Sequence, residues 1–385
     1  MPGTGGRCAI IQASIERTTL LPRNLTARVD WVLLGIVLLL ALIGAVMIYS
    51  STRAEMGTHK LVLQFVWITL GLVVLATFTC VDYNRLLSLA LPFMGVCVFL
   101  LIVVLFLGHF VKGAQRWIPI GPANIQPSEM LKIGLILLLG GFLSHREEEA
   151  GEFSLVVTSL AYIGFPILLV LAQPDLGTPI LLFIVWMTML YFLGSRIVHV
   201  GAIAFAFVML FTAAWGLNII RPHQKQRLTA FVNPDADPRG QGWQLKQSLI
   251  AVGNGGLRGT GLFKGTQSRL RFVPDQETDF IFSVIGEEGG FIGSVFVLSL
   301  FGLLMYRGLM IAAAAKDTAG RIMAGGITAM FLVHVLVNVG MALGMMPVKG
   351  MPLPFVSYGG SNMLTMMAAA GLLQSIHIHR QKITF

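Results

Sequence analysis

The run WVLLGIVLLLALIGAVMIYS, residues 31–50, carries no charged side chain. Its length is what a helix needs to cross the apolar layer of a bilayer. Runs of similar length recur near 61–80, 86–108, 128–144, 153–172, 178–193, 197–217, 279–305, 322–343 and 357–376. Backbone facing lipid has to satisfy its own hydrogen bonds, so these segments read as helices and not strands. The whole chain agrees: 55% of its 385 residues are hydrophobic and only 12% charged. The fold expected is an all-α polytopic membrane protein of about ten transmembrane helices. The first run lies behind a tail of some 30 residues and lacks a small-residue cleavage pattern, so it reads as a retained anchor.

Charge sets the orientation. Arg7, Arg17, Arg23, Arg28, Arg85, Arg146, Arg196, Arg307, Lys316, Arg321, Arg380 and Lys382 fall in the tails and alternate short loops. Arg53, Lys60, Lys112, Arg116 and Lys349 fall on the opposite side. Twelve against five puts both termini in the cytoplasm. The net charge of +9 therefore reports orientation, and nucleic acid is not an expected partner. Residues 1–30 and 378–385 become cytoplasmic tails around one membrane domain, 31–377. Cys8, Cys80 and Cys97 are too few and too scattered for a disulfide framework or a zinc site. No CxxC, HExxH or GxxxxGK[ST] occurs, so metal hydrolysis and nucleotide-driven pumping lose support.

The long connection is 218–278, an extracytoplasmic loop between the seventh and eighth spans. It holds nine Lys/Arg: Arg221, Lys225, Arg227, Arg239, Lys246, Arg258, Lys264, Arg269 and Arg271. Its glycines at 253, 255, 256, 259, 261 and 265 allow either an anion cradle, with Arg258 and Lys264 supplying charge, or a plain solvated loop. A second segment, MMPVKGMPLPFVSYGGSN, holds Pro347, Pro352 and Pro354 and cannot be regular helix. Ser357, Tyr358, Ser361 and Asn362 then stand where a helix begins, placed to cap it or to bind a polar head group.

Charges inside the apolar runs are costly and call for a partner or a cavity. Glu129 and Lys132, at i and i+3, read as an ion pair that lets the helix insert or as a wall of a substrate cavity. Asp175 in QPDLG caps the next helix or faces ligand. His334 and Asn338 share a helix face, which suits interhelical hydrogen bonding. The run 271–290, RFVPDQETDFIFSVIGEEGG, gathers five of the chain's 18 acids. Glu287 and Glu288, about 12–14 Å along a helix from Asp279, read as structural. Asp279 stands at a helix N-terminus, where cap and dipole favour the carboxylate and partial burial raises its pKa. Cap and general base are both open readings for it.

Four motifs carry a resemblance: KGAQRWIPIGPANIQPSEMLK (112–132), AQPDLGT (172–178), GNGGLRGTGLFKGTQSRLRFVPDQETDFIFSVIGEEGGFIG (253–293) and MPLPFVSYGGSNM (351–363). In this order they resemble the shape, elongation, division and sporulation (SEDS) proteins, and GTQS with the short tails is more similar to the elongation type than the division type. The resemblance implies a peptidoglycan glycosyltransferase. Such an enzyme polymerises lipid II, a disaccharide-pentapeptide on undecaprenyl pyrophosphate, at the outer face of the cytoplasmic membrane. It implies as partners a class B penicillin-binding protein and other membrane proteins of the elongation complex. It places the essential acid of TDFIF on Asp279, the polar pair of PSE-x-x-K on Glu129 and Lys132, and QRW on Gln115, Arg116 and Trp117. Glu277 stands where the family usually has His, an extra acid that would raise the pKa of Asp279. Arg116, Lys132 and the loop arginines, with a divalent cation (Mg or Mn) and no nucleotide, are expected to offset pyrophosphate charge. The remaining substrate-contact expectations are Asp175, Arg258, Lys264, Ser357 and Ser361. A lipid-precursor flippase and a recruiting scaffold are the rival functions.

Overall fold

The structure is a computed structural model. It describes residues 28–380 apart from 108, 112–113, 121–122, 174, 176, 218–230, 232, 234–239 and 271. The N-terminal tail to 27, residues 381–385, Lys112, Arg221, Lys225, Arg227, Arg239 and Arg271 thus lie outside the described residues.

Each of the ten apolar runs is a helix. They are α1 (Trp31–Met56), α2 (His59–Cys80), α4 (Ala90–Leu107), α5 (Pro127–His145), α6 (Phe153–Ala172), α7 (Gly177–Leu193), α8 (Ile197–Gly216), α11 (Ile281–Ala313), α12 (Thr318–Ala342) and α13 (Gly360–Ile378). A short α3 (Tyr83–Ser88) joins α2 to α4. Six of the described helices are long and apolar enough to cross a membrane, and the chain is a multi-pass membrane protein. Helices α1, α3 and α12 begin behind Asp30, Asp82 and Asp317, whose carboxylates accept backbone N–H bonds from Val32 and Leu33, Asn84, and Gly320.

The helices differ in what they touch. Phe291, Ile292, Val295 and Phe296 of α11 point outwards and are exposed, as lipid-facing side chains are. Helix α13 has no such face; from Ser361 to Ile378 only Leu364 is not buried. It packs along α2, and Gly371 permits this, because a Cβ there would stand 2.6 Å from the Leu75 carbonyl oxygen. Helices α5 and α12 complete the interior.

At one end of the bundle, called the loop end, lie two features that hydropathy does not announce. Three strands, β1 (His109–Val111), β2 (Ala114–Ile120) and β3 (Ala123–Ile125), form an antiparallel meander in the order β1-β2-β3, with Phe110 opposite Gln115 and Pro119 opposite Asn124. The long loop contains α9 (Gln241–Gly255) and α10 (Thr266–Leu270). The opposite end is fastened by Arg307 to Asp30 (2.5 Å), Tyr83 to Asp317 (2.7 Å) and Arg321 to Glu147 (3.1 Å).

Helix α11 is not continuous. Gly290 has φ 63 and ψ −161 and divides a segment buried from 281 to 288 from the remainder, which carries the lipid-facing side chains. Into this break the glycine-rich loop docks. Thr260 N–H donates to Glu287 O (2.9 Å), Gly261 N–H to Glu288 O (3.2 Å) and Phe291 N–H to Gly256 O (2.9 Å). The carboxylates add to the docking. Glu287 accepts from the backbone of Gln267 (2.7 Å) and Ser268 (2.9 Å) and from the Ser268 hydroxyl, and Glu288 accepts from Ser50 (2.5 Å) and the Phe263 N–H (3.1 Å). Both acids therefore serve the fold, as their sequence position suggested. Gly259 has φ 78, and a Cβ there would collide with the Glu288 carbonyl. Gly259→Val is expected to unseat residues 256–268; faster proteolysis of that loop, with the spans protected, is the measurement.

Candidate active site

Asp279 sits on a turn before α11. Asp275 adopts φ 54, which a short polar side chain tolerates, and its carbonyl receives the N–H groups of Thr278, Asp279 and Phe280. The N-cap position is Phe280, without a side-chain cap bond. Asp279 itself is half-buried, and its carbonyl accepts from Asn338 Nδ2 (2.9 Å). The residue opposite its carboxylate is Gly350; a Cβ there would lie 3.2 Å from Asp279 Oδ2. The site therefore lies where the turn 275–280 meets the proline-rich segment.

Lys349 precedes Gly350, and its Cε passes Gly177. A Cβ on Gly177 would stand 3.0 Å from that Cε and 3.3 Å from Asp175 Oδ1. Asp175 accepts from the Gly177 N–H (2.8 Å) and the Thr178 hydroxyl (2.9 Å), so it caps α7. Arg116 on β2 stands 3.9 Å from Asp175 and donates from Nε to the Gln173 carbonyl (3.2 Å). Asp279, Lys349, Asp175 and Arg116 thus follow one another around the loop end. Sequence reading passed over Lys349; its mark was a lysine inside a segment too rich in proline to be helix.

Several other expectations change. Lys132 is 2% exposed, and its Nζ lies 2.8 Å from each Glu129 oxygen and 2.9 Å from His334 Nε2. All three N–H directions of Lys132 are engaged, which is the ion pair that the i,i+3 spacing suggested. Ser357 and Ser361 are buried with engaged hydroxyls. Ser357 donates to Thr278 O (2.6 Å) and accepts from the Leu353 N–H (2.8 Å), while Ser361 donates to Asn124 O (3.2 Å) and accepts from the Gln126 N–H (3.1 Å). These bonds tie the proline-rich segment to Thr278 and α13 to the residues before α5. Arg258 and Lys264 are exposed, and the N–H groups of Gly259, Thr260, Gly261 and Lys264 are used on backbone carbonyls, which removes the anion cradle. Trp117 is half-buried on β2, and the Gln115 side chain lies outside the described residues.

Glu277, the extra acid near Asp279, has a cation beside it. Lys60 of α2 forms an ion pair with it, and that ammonium also lies 5.6 Å from the Tyr358 ring centre. Burial first, and the Glu277 carboxylate second, push the Tyr358 phenol above its ordinary range. The extra acid is thereby compensated at source.

Among the described residues no three of His, Cys, Asp and Glu converge to hold a metal ion.

The family model for FtsW, RodA and SpoVE, described as cell cycle protein, matches residues 30–382. The peptidoglycan glycosyltransferase MrdB of Escherichia coli (strain K12) is 39% identical over 355 residues, 92% of this chain and 95% of that protein. A chain in a solved structure described as "Structural coordination of polymerization and crosslinking by a peptidoglycan synthase complex" superposes with a TM-score of 0.78. It is 31% identical, covering 91% of this chain and 97% of that one. The crystal structure of the Thermus thermophilus rod shape determining protein RodA gives 0.69 at 29% identity, covering 92% and 98%. With matches of this length on the same arrangement of spans, the chain belongs to the FtsW/RodA/SpoVE family, the SEDS proteins.

Proposed function

We propose that the chain is a peptidoglycan glycosyltransferase that polymerises lipid II during cell elongation. The observation that carries this reading is the half-buried Asp279 carboxylate set against Gly350, one residue from Lys349. Asp279 serves as general base. It takes the proton of the acceptor sugar hydroxyl while that oxygen attacks the anomeric carbon of the donor. The bond from that carbon to the lipid pyrophosphate breaks, and the pyrophosphate leaves with the electron pair. A pyrophosphate is a good leaving group, so no second carboxylic acid is required, unlike in the two-carboxylate hydrolases. Single displacement turns an α-linked donor into a β-linked glycan. Lys349 and Arg116 are the cations placed to offset the charge that develops on the leaving group.

The protein lies in the cytoplasmic membrane with its loop end outside and both termini in the cytoplasm, the arrangement its basic residues favour. Its partner is a class B penicillin-binding protein, which crosslinks the peptides, with further membrane proteins of the elongation complex. The test adds lipid II to the purified protein, with and without that partner. Glycan ladders on a gel are the expected result. Translocation of labelled lipid across vesicles without polymer would overturn the reading in favour of a flippase, and neither product would leave a scaffold.

A further inference from the structure

His334 and Asn338 are one turn apart on α12, at i and i+4, so their side chains leave the same face. Asn338 Nδ2 donates to two carbonyls, Asp279 at 2.9 Å and Met351 at 2.8 Å. His334 Nδ1 stands 3.0 Å from the Pro352 carbonyl, and its Nε2 stands 2.9 Å from Lys132 Nζ. An ammonium can only donate, so Nε2 accepts. The ring proton then belongs on Nδ1, where it donates to Pro352. Glu129 holds Lys132 from the other side, at 2.8 Å through both oxygens. The buried ion pair thereby fixes which tautomer His334 adopts.

This matters for residues 349–353, which belong to no helix or strand; Pro352 lacks an N–H, and Phe355 just beyond has φ 64. The Met351 N–H donates to Lys349 O (2.7 Å) and the Leu353 N–H to Ser357 Oγ (2.8 Å), while on the α12 side the carbonyls of Met351 and Pro352 meet Asn338 and His334. The same Asn338 amide holds the backbone of Asp279. One helix face therefore bonds to both sides of the site, the turn that carries the carboxylate and the segment that carries Lys349 and Gly350. His334 is 1% exposed, so whatever it does for the reaction it does through these two segments.

We propose that His334 is a positioning residue: with Asn338 it forms a hanger that sets the gap between the Asp279 carboxylate and residues 349–353. The inference rests on Asp279 being the general base. It also makes a structural claim that can be read without turnover.

The variants are His334→Phe, which keeps a ring and loses both bonds, and His334→Asn, which keeps a donor near the Nδ1 position. For His334→Phe, kcat for lipid II polymerisation is expected to fall about 10–100-fold, the scale of a misplacement near 1 Å. KM is expected to stay within about twofold, because no group that binds the lipid has been removed. His334→Asn is expected to recover most of the rate. Amide hydrogen exchange in 349–353 is expected to quicken at least about tenfold in His334→Phe, with α5 and α12 unchanged. Should that variant not fold, His334→Gln, which keeps an acceptor for Lys132 and loses the Pro352 bond, carries the same comparison. Wild-type kcat in His334→Phe, a rise in KM that matches the loss of rate, or unchanged exchange at 349–353 would each overturn the hanger. A wild-type protein that makes no polymer, with faster exchange at 349–353 still seen in His334→Phe, would refute the activity and leave the hanger standing.

Discussion

Asp279→Asn is expected to lower lipid II polymerisation by about 10²–10⁴-fold, the contribution of a positioned general base. The substitution is nearly isosteric and removes the negative charge together with the capacity to accept a proton. The turn should survive it, because backbone bonds that it leaves in place seat residue 279. Its N–H donates to Asp275 O (3.0 Å), and its carbonyl accepts from Asn338 (2.9 Å). Membrane insertion, thermal stability and binding to the crosslinking partner should therefore match wild type while initial rates collapse. Rates are read from labelled glycan on a gel at saturating lipid II. Undiminished synthesis by the purified variant would remove Asp279 from the chemistry.

The second large effect concerns stability. Lys132→Met leaves Glu129 buried and without its ammonium, and also takes the donor from His334 Nε2. Removing one partner of a buried pair costs about 3–5 kcal/mol. That is a sizeable part of the stability of an ordinary domain, so a much lower melting temperature in detergent and a smaller folded fraction are expected. The double variant Glu129→Gln/Lys132→Met removes both charges together and should regain most of the loss. A single variant as stable as wild type would show that the pair is solvated in a way its burial denies. The contrast also separates fold from chemistry: the Asp279 variant is stable and inactive, and the Lys132 variant is first unstable.

The spans were legible because lipid imposes a length. The run read at 128–144 is a helix over Pro127–His145, and that at 153–172 is one over Phe153–Ala172. Asp279 was legible because an acid beside FIFSVI has to lie at a helix entrance. The sheet was not, since strands of three and seven residues give too little alternation to read. Glu129 and Lys132 declared each other through their i,i+3 spacing. Their third member, His334, is 202 positions from Lys132, a distance that no local pattern spans. The glycine-rich loop looked equally suited to an anion or to solvent, and its real requirement was room for backbone against Gly286–Gly290. Ser357 and Ser361 looked available because hydroxyls near a helix start usually are; here the neighbouring carbonyls claimed them first.

The burial of α13 has a consequence for biogenesis. A segment without a lipid-facing side gains little by dissolving in hydrocarbon alone, and this one carries Asn362, Thr365, Gln374 and Ser375 in its buried surface. Its surroundings, α2, α5 and α12, all precede it in the chain, so they can be in the bilayer before it leaves the ribosome. Insertion of α13 should then depend on their prior assembly, and a chain cut after α12 should sit in the membrane with an empty seam at its centre.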